Sequence, residues 1–264
     1  MTFGWQGFQI DHPEDWGPVS LRGSASEGYA RLASPGRLSL QVRWNRGKET
    51  DLHGVLESYL RRLQKGSRGK REPFKADRRE EDGRLLYHWA GDGQGRGALF
   101  WLGGQVHFLE ITGARRDSLL PHLNSSLSSF RRLGGEYALW SVLGLRIWIP
   151  SEFELARHGF LAGKTALHFR HGLDRLECVR WGLAERLLQR QSLAEWARAA
   201  CGLPSAEVSE EDAGLRLTKA GRLGRKVVLV RGEREHNQIV TVSASLKGRW
   251  QGPSWDWFEE DAPE

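Results

Sequence analysis

Gly7-Phe8-Gln9-Ile10-Asp11-His12-Pro13-Glu14-Asp15-Trp16 and Gly144-Leu145-Arg146-Ile147-Trp148-Ile149-Pro150-Ser151-Glu152-Phe153 are the two stretches whose reading decides the fold. They lie 137 residues apart, with Pro13 on Pro150 and aromatic Trp16 on aromatic Phe153. At the same offset Val42-Arg43-Trp44 falls on Val179-Arg180-Trp181, while Gly28 and Leu32 match Gly163 and Leu167 after a two-residue slip. Two separated motifs sharing one offset argue for an internal duplication. The expected copies are 1–134 and 135–264, and superposing them should bring Trp44 onto Trp181, a mismatch there counting against the duplication.

Working outward, Phe8 and Ile10 alternate with polar neighbours until Pro13 stops the segment, as in a strand leaving its sheet. Leu38, Leu40, Val42 and Trp44 alternate with Ser39, Gln41 and Arg43, which describes a half-buried strand. Leu52, Val55, Leu56, Tyr59, Leu60 and Leu63 then form the apolar stripe of a helix. Its counterpart is Leu193, Trp196, Ala197 and Ala200, preceded by Ser192 and Glu195 at capping-box spacing. Strands follow in both halves, at 85–89, 99–102 and 106–111 and at 215–218, 227–230 and 239–242, with Gly103-Gly104 signalling a two-residue hairpin. A second helix over Leu119, Leu120, Leu123 and Leu127, with Pro121 in its first turn, closes the first half only.

Hairpins favour antiparallel pairing, and grouped strands and helices favour α+β. The expected fold is α+β: two duplicated domains, each a mainly antiparallel sheet with flanking helices. The element order, the strand-then-Pro-x-x-aromatic opening, the Arg-Trp strand end at 43–44 and 180–181 and the helix after it resemble the PsbP/DcrB-like α/β sandwich. That resemblance spans nearly all of both halves. It implies a non-enzymatic, chaperone-like scaffold for binding another protein, without naming the partner.

Composition sets outer limits. The 264 residues are 39% hydrophobic and 27% charged, too apolar for a disordered chain, and twelve tryptophans imply packed cores. No run approaches the roughly 20 apolar residues that cross a bilayer, so no transmembrane segment is expected. The N-terminal residues lack the pattern of a secretory leader, which points to the cytoplasm. Only Cys178 and Cys201 are present, excluding a disulfide framework and a four-cysteine zinc site. Neither oligomeric state nor partner identity is legible.

Candidate chemistry is sparse. Gly163-Lys164-Thr165 has the ending of a phosphate-binding loop, but Gly159 precedes it by the wrong spacing. Gly91-Asp92-Gly93-Gln94-Gly95-Arg96-Gly97 lies between strands rather than between strand and helix, and suits a flexible hairpin connection. His158, His168 and His171 with Cys178 have some metal-ligand character, but strand alternation sets His168 and His171 on opposite faces. No nucleophile elbow or metallohydrolase motif is present. The expectation is no enzyme, no catalytic residue, no metal and no cofactor.

Two surface features remain. Arg61, Arg62, Lys65, Arg68, Lys70, Arg71, Lys75, Arg78 and Arg79 stand against Glu72 and Asp77 alone, so 61–79 carries +7 of a chain whose net charge is +6. Of these, Arg61, Arg62, Lys65, Arg68, Lys70, Arg71, Arg78 and Arg79 are candidate contacts for an anionic surface, polymer or nucleic acid, the alternative to a protein partner. The solvated-loop reading competes with it. Trp148, Trp255, Trp257 and Phe258 are candidate interface residues, the last three sitting among Asp256, Glu259, Glu260 and Asp261. The competing reading folds this tail back onto its own half. Trp148 stands where the first half has Asp11, so its side of the strand should be covered by the other half or another subunit.

Overall fold

Gln6 and Gly7, at φ 49° and 84°, and Leu143 and Gly144, at 50° and 77°, make left-handed two-residue turns that close matching hairpins. Such turns twist as the flanking strands do, and glycine takes the second site without strain. Each hairpin ends at the proline noted above, and the amides of Trp16 and Phe153 turn back to the carbonyls of Pro13 and Pro150. Both aromatics are buried. The structure is a computed structural model describing residues 1–46, 51–67, 72–222, 224–247 and 250–263. The chain divides into two compact units, Met1–Leu133 and Gly134–Glu264.

In the first unit the strands are β1 (Thr2–Trp5), β2 (Phe8–Asp11), β3 (Gly17–Gly23), β4 (Glu27–Ala33) and β5 (Ser39–Arg46). After helix α1 (Leu52–Gly66) come β6 (Lys75–Glu81), β7 (Arg84–Ala90), β8 (Gln94–Leu102), β9 (Gln105–Gly113), helix α2 (Leu120–Ser129) and β10 (Arg131–Arg132). The main sheet is antiparallel in the order β3-β4-β5-β9-β8-β7-β6. One face packs Leu85, Tyr87, Leu99 and Phe108 against Leu56 and Tyr59 of α1. The other packs Trp44 against Phe8 of β2, 5.2 Å between ring centroids, and Phe8 stacks on Phe130 at 5.6 Å.

The second unit holds β11 (Tyr137–Val142), β12 (Leu145–Pro150), β13 (Glu154–Leu161), β14 (Lys164–His171) and β15 (Asp174–Gly182). Short helices α3 (Ala184–Leu187) and α4 (Leu193–Ala200) precede β16 (Glu207–Glu211), β17 (Gly214–Gly221), β18 (Gly224–Glu233) and β19 (Gln238–Leu246). Its sheet runs β13-β14-β15-β19-β18-β17-β16, again antiparallel. Trp196 and Ala197 of α4 pack on Leu217, Val228, Val230 and Ile239, while Trp140 of β11 meets Phe169 on the other face. The Ser192–Glu195 capping box is formed.

The expected α+β class with flanking helices is wrong. Strands account for 53% of the chain and helices for 16%, so the molecule is sheet-built with few helices. The strands missed in the sequence include the edge strands β3, β6, β13 and β16, and also interior β4, whose buried Ala30 and Leu32 alternate. β6, Lys-Ala-Asp-Arg-Arg-Glu-Glu, is exposed at all seven positions. Such charge on an edge strand discourages pairing with another chain. β3 and β13 guard their edges with bulges at Val19 and Ala156, and β3 also with Pro18.

Trp44 and Trp181 do not occupy equivalent places. Trp44 points away from α1 toward Phe8, whereas Trp181 points to the helix side and meets Trp196 edge-on at 5.5 Å. An odd register slip turns a strand's whole side-chain set to the opposite face. Connections of unequal length, Ser34–Leu38 between β4 and β5 against Gly172-Leu173 between β14 and β15, disconnect sequence offset from sheet position.

Candidate functional site

Helix α1 lies over β7, β8 and β9 and, among the described residues, leaves the β3–β4–β5 half of its face bare. Cross-strand register fixes what that face carries. One row runs Arg22, Tyr29, Arg43, Phe108, Leu99 and Leu85 across β3, β4, β5, β9, β8 and β7. The next runs Arg31, Gln41, Glu110, Gly97 and Tyr87. Directly paired residues share a face, so the bare half presents Arg22, Arg31, Arg43, Tyr29 and Gln41 together.

Where this half meets the flank of α1 there is a cavity of about 460 Å³. Tyr29, Tyr59, Val55, Leu99 and Phe108 supply apolar and aromatic lining, and Arg22, Arg43, Arg62 and Glu27 supply charge. The Arg43 guanidinium carbon lies 5.5 Å from the Tyr29 ring centre, 5.6 Å from Tyr59 and 6.0 Å from Phe108. It donates to Gln41 Oε1 at 3.3 Å. Among the described residues none of Arg22, Arg31, Arg43 and Arg62 forms an ion pair with a carboxylate.

A buried carboxylate fixes the helix that forms one wall. Glu110 is 2% exposed, and its oxygens accept from Tyr59 Oη, Tyr87 Oη and Trp89 Nε1, each at 2.9 Å. Burial holds its carboxyl above the usual range, while these donors and Arg43 pull it back. Burial likewise raises the Tyr59 and Tyr87 hydroxyls. Two glycines make the reach possible. A Cβ at Gly95 would collide with the Trp89 indole and one at Gly97 with the Tyr87 ring, so both rings lie flat over β8 on their way to β9. Of the alternating glycines of 91–97, Gly95 and Gly97 are therefore strand positions under aromatic rings, and Gly91 and Gly93 lie in the connection. The sequence signal for this network was a lone Glu within the apolar run 106–111.

In the predicted basic segment several arginines meet carboxylates at the surface. Arg61 and Arg78 both bond Glu57, at 3.2 and 3.1 Å, and Arg79 pairs with Glu81 at 2.9 Å. Arg62 joins the cavity, and Lys65 is exposed in the last turn of α1. Arg68, Lys70 and Arg71 lie outside the described residues. The tail residues fold onto the second unit. Trp257 is 2% exposed and stacks on Trp250 at 5.5 Å, and Trp250 meets Phe153 at 4.8 Å. Trp255 bonds Glu211, and Arg231 lies 5.9 Å from the Phe258 ring centre. Trp148 is buried on β12, the strand on which the 255–258 turn packs. Arg146, on the same side of that strand, donates to the Glu260 carbonyl at 2.6 Å. The chain's own tail thus lies on this strand, with Trp257 turned inward.

His168 pairs with Glu177 at 3.6 Å, and Cys178, its side chain on the other face, is fully buried. Among the described residues no group of three His, Cys, Asp or Glu side chains could hold a metal. Lys164 lies 4.0 Å from the Trp181 ring centre, engaged by the indole. No described helix is long and apolar enough to cross a membrane.

No family model matches the chain, and no curated protein matches it. The chain is similar to the solution structure of cyanobacterial PsbP (CyanoP) from Synechocystis sp. PCC 6803, at 14% identity over 50% of this chain and 91% of that one, with a TM-score of 0.38.

Proposed function

We propose that the protein is a non-enzymatic scaffold that binds another protein through the bare half of the first unit's sheet. One observation carries this reading: Arg22, Arg43 and Arg62, which form no ion pair with a carboxylate among the described residues, line an aromatic-walled cavity beside α1, and Arg31 continues the positive face next to it. Cations outside an ion pair keep their capacity for charge-assisted hydrogen bonds to a partner's carboxylates. The titratable groups most shielded from solvent are enclosed rather than poised. Glu110 is closed over by its three donors, and His107 lies between Phe100 and Phe130. Neither lines the cavity.

We also propose a duplication, though not the residue-for-residue one in which Trp44 meets Trp181, a match that fails. Matching strand order in the two seven-stranded sheets, matching left-handed hairpin turns, and bulges at Val19 and Ala156 that share the 137-residue offset support it.

Affinity purification of the full chain from its native host tests the binding face. Wild type is compared with a variant carrying Arg22→Gln, Arg31→Gln and Arg43→Gln and with one carrying Arg61→Gln, Arg78→Gln and Arg79→Gln. The first variant is expected to lose a protein that wild type and the second variant retain. Loss confined to the second variant would instead favour anion binding by the 61–79 segment.

A further inference from the structure

We infer that the cavity beside α1 receives an apolar or aromatic side chain of a partner segment whose neighbouring residues are acidic. This rests on the binding face proposed above and specifies what that face recognises.

The lining holds three arginines against Glu27, so an occupant bearing carboxylates is drawn in and a cationic one is repelled. Arg43 is the centre of recognition. Its guanidinium lies against the Tyr29, Tyr59 and Phe108 rings, and among the described residues its hydrogen bond goes to Gln41. A planar guanidinium steadied this way presents its remaining N–H groups in a fixed fork, the geometry that matches a carboxylate. The partly buried Val55, Val106 and Tyr29 add apolar surface for one side chain, in a volume within the range of small-ligand pockets.

Two features favour a peptide segment over other anions. The cations extend past the cavity, since Arg31 on β4 and Arg22 on β3 continue the positive face toward the sheet edge. With strands about 4.8 Å apart, β5 to β3 spans about 10 Å, more than one carboxylate can bridge. Single-stranded nucleic acid needs open aromatic faces for its bases. Here Tyr59 and Phe108 are buried, and Tyr29 lies against Arg43.

The test is fluorescence anisotropy of the full chain with a labelled nine-residue peptide that has a central tryptophan between pairs of glutamates. Replacing the glutamates with glutamines is expected to weaken binding at least about tenfold, the scale of one lost charge-assisted hydrogen bond. Replacing the tryptophan with alanine should weaken it comparably. Arg43→Gln should abolish the preference for glutamate, and the solvent-exposed Arg22→Gln should reduce it without changing the thermal midpoint, which separates recognition from folding. Equal affinity for the glutamine peptide, or tighter binding of an oligouridylate, would overturn the inference. So would absence of peptide binding by a chain that still recovers its partner through the same arginines, and that result would leave the proposed face intact.

Discussion

Glu110 and His107 sit three residues apart on β9, point to opposite faces of the sheet, and should make stability depend on pH in opposite directions. His107 is fully buried, and its ring nitrogens find no well-aligned hydrogen-bond partner among the described residues. Burial, helped by the nearby Arg132 charge, lowers its pKa from 6.5 to about 4. The unfolded chain therefore binds the proton more readily. The stability associated with neutral His107 is complete above pH 6.5 and is lost as pH falls toward 4, by at most about 3 kcal/mol. Denaturant unfolding of wild type and His107→Leu between pH 7 and 5 should show the wild type losing stability faster. Parallel curves would contradict the assignment. For Glu110 the sign reverses, because its folded pKa is raised. Its contribution is largest below the ordinary glutamate range and declines as pH rises. Glu110→Gln should accordingly gain on wild type between pH 4.5 and 8 in the same assay. Glu110→Ala, which strands three buried donors, should be destabilised throughout by several times the roughly 1–3 kcal/mol of one unsatisfied group.

At the scale of elements, α1 is seated by packing and by one polar tether. Tyr59 reaches from the helix to Glu110 on the sheet. Tyr59→Phe removes a hydrogen bond to a buried carboxyl group and is expected to cost about 2 kcal/mol in denaturant unfolding, a loss of under about 0.5 kcal/mol marking the tether as dispensable. The edge strand β6 makes a different prediction. Arg79→Val with Glu81→Val would give a fully exposed edge two β-branched residues in place of charges. Light scattering should then rise with concentration well above wild type, and unchanged scattering would remove the edge-guarding role. These elements also show what a sequence conveys. The stripe on α1 and the capping box of α4 were legible because apolar spacing and cap chemistry are local. β6 was invisible because its residues answer to solvent and to an absent neighbour, leaving no buried face to mark.

For the whole molecule, what could be read depended on how far apart the deciding residues lie. The strand at 8–10 that Pro13 stops and the Gly103-Gly104 hairpin are short-range and were legible from proline and glycine placement, whereas the turns at Gln6-Gly7 and Leu143-Gly144 were not read. Trp44 and Trp181 shared a sequence offset yet face opposite sides, because loops of unequal length intervene. The basic face escaped notice for a related reason. Arg22, Arg31 and Arg43 stand on three strands, each an ordinary polar position in an alternating pattern, and only cross-strand register assembles them. The run at 61–79 was conspicuous in one dimension, but Glu57 and Glu81 engage Arg61, Arg78 and Arg79 in three. The most direct test of the central claim uses wild-type chain and the partner recovered by purification. Arginine-selective chemical labelling, read by mass spectrometry, is compared with and without that partner. The account predicts that Arg22, Arg31, Arg43 and Arg62 become protected while Arg61, Arg78 and Arg79 keep their reactivity. Protection of Arg61, Arg78 and Arg79, with the bare face still labelled, would contradict it.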